Sequence, residues 1–116
     1  MEYLLLIYDR ESNWSEMSEA ERGQMMQDYG AFTESIRGSG HYKGGNPLQP
    51  IATATTVRVR EGKTMTTDGP FAETREQLGG YYLIDAKDLD DALAVAARIP
   101  SARIGSIEVR PILKMG

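Results

Sequence analysis

The residues best suited to chemistry gather around one forced turn, Thr67-Asp68-Gly69-Pro70-Phe71. Proline has no N–H to donate and glycine admits backbone angles closed to other residues, so strand pairing breaks here. An acid held rigidly at a strand end beside such a turn suits a general base, which makes Asp68 the leading catalytic candidate. The same placement suits an Asx turn, in which the carboxylate bonds its own following backbone, and the two roles are compatible. His41 is the only histidine, and its ring titrates in the range useful for proton transfer. Its position after Gly40 in a glycine-rich stretch equally fits a solvated loop residue. Arg58 and Arg60 share one face of a strand pattern, where guanidinium forks clamp a carboxylate or phosphate, or simply face solvent. Tyr81 and Tyr82 point to opposite faces of another strand, one into the core and one, by preference Tyr81, toward a cleft. Phe71 and Glu73 follow Asp68 closely and join Arg58, Arg60 and Tyr81 as substrate-binding candidates. Asp9, Arg75 and Glu76 rank behind them.

Other chemistry is not indicated. No grouping of His, Asp and Glu has metal-ligand spacing, no loop has a GxGxxG or Walker pattern, and no serine sits in a nucleophile elbow. Neither a metal nor a cofactor is expected. Met25 and Met26 read as core filler, and Trp14 as a residue capping a cleft or a dimer seam.

These side chains need elements to hold them. Tyr3 to Tyr8 is an apolar run of strand length, as in a central strand covered on both faces. Ser18 stands three residues before Glu21, a capping-box spacing that opens a helix. Met25, Tyr29, Phe32 and Ile36 then share one helical face until Gly38 and Gly40 end it. His41 to Pro50, rich in glycine and proline, reads as a loop. Thr53 to Arg60 and Lys63 to Thr67 form a hairpin about Glu61-Gly62, with Thr55, Val57 and Val59 on one face. Leu78 to Ile84 is a further strand, opened by Gly79-Gly80, where another backbone or a ligand can come close. Asp88 caps a second helix that buries Leu89, Ala92, Leu93, Ala96 and Ile99 and stops at Pro100. Ser106 to Pro111 is the last strand. This order predicts an α+β, ferredoxin-like antiparallel sheet with two helices on one face. The other face needs cover, and a second copy of the chain is the simplest.

Length and composition agree. The 116 residues suit a single domain over 1–116, with 41% hydrophobic and 26% charged residues, an ordinary globular balance. Without cysteine there are no disulfides or thiolate sites, which fits a reducing cytoplasm. No run is long enough to cross a bilayer, and Glu2 and Asp9 spoil the first strand as a signal peptide, so neither membrane nor export is expected. A net charge of −4 with scattered basic residues argues against direct nucleic-acid binding.

Thr67-Asp68-Gly69-Pro70-Phe71-Ala72-Glu73-Thr74, followed by Glu76-Gln77-Leu78-Gly79-Gly80-Tyr81-Tyr82, resembles the signature of the YCII-related family, DGPF subgroup. The resemblance extends to the opening strand and to Ile107-Glu108-Val109-Arg110-Pro111-Ile112. It implies a dimeric α/β barrel in which two sheets pack face to face, on a fold that serves isomerases, lyases, monooxygenases and ligand sensors. It also implies a histidine and aspartate pair for acid/base chemistry in some relatives, with the histidine on the first helix, a position His41 does not occupy. Two functions follow as expectations. One is a cofactor-independent lyase or isomerase acting on a small molecule through Asp68. The other is a non-catalytic ligand-binding or regulatory dimer working with an extracytoplasmic-function sigma factor.

Overall fold

The computed structural model describes residues 1–115. Strand β1 (Glu2–Asp9) runs into a short helix α1 (Glu11–Ser15) and then the long helix α2 (Glu19–Gly38). Strand β2 (Tyr42–Pro47) precedes a hairpin of β3 (Thr55–Arg60) and β4 (Lys63–Asp68). Strand β5 (Gln77–Asp85), helix α3 (Leu89–Ala96) and strand β6 (Ser106–Pro111) complete the chain. Four strands form one sheet in the order β2-β5-β1-β6, with every neighbouring pair antiparallel. That order, with α2 and α3 on one face, is the ferredoxin-like α+β arrangement expected from the element order.

Both predicted caps are present. Ser18 Oγ accepts from the Glu21 N–H at 3.1 Å while Glu21 Oε1 accepts from the Ser18 N–H at 3.0 Å, satisfying two otherwise free donors. Asp88 caps α3 with a single bond, accepting from the Asp91 N–H at 2.9 Å. Helix α2 buries Met25, Phe32 and Ile36 as its spacing requires. Phe32 meets Tyr82 edge-on with ring centres 5.2 Å apart, and Leu5, Ile36, Ile84 and Ile99 are almost fully buried around them.

Several expectations are corrected. The second strand of the main sheet is β2, within the segment read as a loop, and the hairpin forms its own two-stranded sheet. The glycines and proline that suggested a loop are instead what an edge strand tolerates. A side chain at Gly45 would come within 2.8 Å of Tyr81 O and 2.9 Å of Tyr82 Cδ1, so glycine lets β2 lie against that ring. The third strand begins at Thr55, after a 3-10 turn over Ile51–Thr53. Helix α3 buries Ala92, Val95 and Ala96, with Ile99 just beyond it, whereas Leu89 and Leu93 are about half exposed. Small side chains let the helix seat closely on the sheet, and that contact turns the leucines outward. Strand β1 is central but alternates: Tyr3, Leu5, Ile7 and Asp9 are buried beneath the helices, while Leu4, Leu6 and Tyr8 are half-buried on the other face. The polar stretch around Trp14 is helical.

Candidate functional site

The buried alternation of β1 ends on a carboxylate. Asp9 follows Tyr3, Leu5 and Ile7 on the helix-facing side and is only 5% exposed. A bulge opposite Ile7 and Tyr8 leaves Gly79 out of register, and the Gly79 carbonyl is taken by the Leu48 N–H at 2.9 Å. Gly105 crosses close over the strand end, where a side chain would collide with Tyr8 O and sit 2.7 Å from Asp9 Cβ. Three backbone features therefore hold Asp9 in place: the strand, the bulge and the crossing.

Asp9 lies on the wall of a cavity of about 630 Å³ between α2, β2, β5 and the segment through Pro50. The size is that of a small-molecule site. Trp14, Tyr29, Tyr42 and Tyr82 give it an aromatic lining, and Glu11 and Glu34 are the other acids on its wall. Glu11 is fixed at both ends: its N–H donates to Gln77 Oε1 at 3.0 Å, and its Oε2 accepts from the Ile51 N–H at 2.8 Å. Tyr29 pairs its hydroxyl with Ser101 Oγ at 2.6 Å, and Tyr82 with Thr33 Oγ1 at 2.7 Å.

Burial pushes the Asp9 carboxyl above the usual carboxylate range, and the nearby Glu76 and Glu11 add to the effect. The Trp14 indole N–H works in the opposite direction as a donor. Burial likewise raises the phenols of Tyr29 and Tyr82, taking them further from ionisation than a free phenol, so both are hydroxyl donors and acceptors. The arrangement is a carboxyl with heightened proton affinity facing an apolar space with fixed hydroxyls, which is the equipment of acid/base chemistry.

Of the residues singled out from sequence, Tyr81 is on the cavity wall, but its pairing opposite Leu6 and its alternation with buried Tyr82 turn its side chain to the helix-free face, where its hydroxyl accepts from Asn46 Nδ2 at 2.8 Å. Asp9, ranked behind the others, is on the wall too. Asp68 is exposed at the end of β4, opposite Thr55, and the turn after it is pinned by the Gly69 N–H to Ala54 O at 2.7 Å. Arg58 and Arg60 lie on the hairpin, and Arg60 donates to its neighbour's carbonyl, Val59 O, at 3.0 Å. Phe71 and Glu73 are exposed beyond it. His41 does stand in a histidine and aspartate pair, but with Asp91 at 3.0 Å through Nε2 and with Ser39 Oγ at 2.6 Å through Nδ1. None of these six lines the cavity. The signal that marks Asp9 in the sequence is its phase: an acid at the next even step after three buried apolar residues.

The sheet order and helix placement define the ferredoxin-like class, and a solved structure shares it. The chain is similar to 5-chloro-2-hydroxyhydroquinone dehydrochlorinase from Burkholderia phenoliruptrix AC1100, solved in complex with 2,5-dihydroxybenzoquinone. The TM-score is 0.57 and the identity 15%, over 100% of this chain and 96% of that one, a likeness of fold. Within that class the YCII-related domain matches residues 1–116, and the chain belongs to the YCII-related family. It is also 41% identical over 114 residues to an uncharacterized protein of Rhizobium meliloti (strain 1021), spanning 97% of this chain and 92% of that one. No helix of the described residues is long and apolar enough to cross a membrane.

Proposed function

We propose that the cavity is the active site of a lyase or isomerase that works on a small molecule without a bound cofactor, with Asp9 as the proton-transfer group. The observation that carries this reading is the buried carboxyl of Asp9, raised by desolvation, on the wall of a cavity large enough for a substrate. A base works best when its proton affinity approaches the working pH, and burial moves Asp9 in that direction. Ionised Asp9 would take a proton from a substrate carbon or hydroxyl and return it to the product or leaving group. The neutral phenols of Tyr29 and Tyr82 would orient the substrate's oxygens. Dehydrochlorination, the activity named for the structural neighbour, removes a proton and a chloride and is an elimination of this kind.

The test is a screen for turnover or for solvent-deuterium wash-in over small hydroxylated and carbonyl compounds, followed by two variants. Asp9→Asn is expected to slow the reaction by about 10²-fold or more, the usual contribution of a positioned base. Asp68→Asn is expected to leave it unchanged, because Asp68 is exposed outside the cavity lining. Full activity in Asp9→Asn would overturn Asp9 as the base, and loss of activity in Asp68→Asn would return that role to Asp68.

A further inference from the structure

The charge on the cavity wall limits what it can hold. Asp9, Glu11 and Glu34 line it, and no lysine, arginine or histidine does. Glu34 has an external partner, Arg37 Nε at 3.6 Å, and both side chains are exposed there. The Glu11 side chain meets a backbone N–H rather than a cation. Asp9, nineteen-twentieths buried, has no ion pair among the described residues. Two arginines are near but absent from the cavity lining: Arg22 donates to the Trp14 carbonyl at 3.2 Å, and Arg37 stacks 4.2 Å from the Tyr42 ring centre.

Removing a carboxylate from water without a cation is unfavourable, and a bound cation would offset it. The remaining wall is suited to the same partner. Trp14, Tyr29 and Tyr82 are electron-rich rings, whose faces attract positive charge most strongly where water is displaced, while Tyr42 already carries Arg37. An anionic ligand would meet carboxylates with no fork or ammonium to receive it.

We propose that the ligand of this cavity is an organic cation, a protonated amine or ammonium group on an apolar body, with its charge between Asp9 and the aromatic wall. The proposal rests on the reading of the cavity as the substrate site and adds the class of molecule that enters it. The charged groups that act on Asp9 are Glu76 and Glu11, both acidic, and among the described residues no ion pair reaches it.

The chain has one tryptophan, and it lines the cavity, so Trp14 emission reports occupancy. Three probes of nearly equal size separate the possibilities: benzylammonium, benzyl alcohol and benzoate, titrated at neutral pH. The expected result is saturable quenching by benzylammonium at a concentration at least about tenfold below that needed for benzyl alcohol, with no saturation by benzoate. Added salt is expected to weaken the ammonium and leave the alcohol unchanged. Asp9→Asn is expected to bring the two together, and Glu11→Gln to narrow the gap, which provides a second reading should the first variant fold poorly. Equal or tighter binding of the alcohol or of benzoate overturns the cation assignment and leaves the cavity as a site. Failure of every probe to change Trp14 emission overturns both.

Discussion

Replacing Asp9 by Asn should stabilise the protein while disabling it. The side chain keeps its shape, and the buried position no longer holds an ionised group without a cation beside it. Burying a charged group without a counter-charge costs about 1–3 kcal/mol in mutational terms, and the Trp14 N–H that Asp9 keeps offsets part of it, which places the gain at about 1–2 kcal/mol. At about 2.1 cal/mol/K per residue, unfolding entropy for 116 residues is about 0.24 kcal/mol/K, so Tm should rise by about 4–8 °C at neutral pH. The pH dependence has a definite sign. A carboxyl whose folded-state proton affinity is raised favours the fold when protonated, below the unfolded carboxylate range near 3.8. That contribution is lost as pH rises through the folded-state value. The advantage of Asp9→Asn over the wild type should therefore be full at neutral pH and shrink as the medium is acidified toward that range. Differential scanning calorimetry at a series of pH values measures both quantities. A variant that melts at or below the wild type at neutral pH, or whose gain is the same at every pH, would refute the account of Asp9 as a desolvated acid.

Three further outcomes follow from the same structure. Gly105→Ala should destabilise by about 1–3 kcal/mol through its collision over Asp9, whereas Gly23→Ala, with nothing within 4 Å on exposed helix α2, should stabilise by about 0.5–1 kcal/mol; urea titrations compare them directly. Asp91 is held below the usual carboxylate range by the Lys87 N–H and then by His41, so its contribution is present above the unfolded range and lost as pH falls through the folded-state value. Asp91→Asn should flatten the acid limb of stability against pH, a change visible in chemical denaturation between pH 5 and about 3. The half-exposed Leu4, Leu6, Tyr8 and Leu83 on the helix-free sheet face should pair two copies, giving about twice 12.8 kDa by light scattering, and a Leu6→Glu variant should run at half that mass.

The local rules written in the sequence were sufficient for most elements. The Ser18 and Glu21 spacing, the Asp88 cap, the Glu61-Gly62 turn and the apolar run of β1 each act within a few residues, so they are legible without knowing what lies nearby. Glu61 and Gly62 both take positive φ, 51° and 74°, as a two-residue hairpin demands. The YCII-related family was readable from its residues, and the α+β class from the element order, which leaves few ways to close a sheet. What the chain alone did not settle is everything decided at a distance. Tyr42–Pro47 becomes a strand because β5 offers it hydrogen bonds and Tyr82 accepts Gly45 beside it, not because its composition favours extension. Leu89 and Leu93 face outward because the alanines of α3 seat more closely on the sheet. Asp68 drew attention by its turn, yet the hairpin that carries it pairs within itself. Asp9 looked ordinary, and only folding removed its water: a carboxylate's proton affinity is set by what surrounds it, and Glu76, Gly79 and Gly105 reach it from far along the chain.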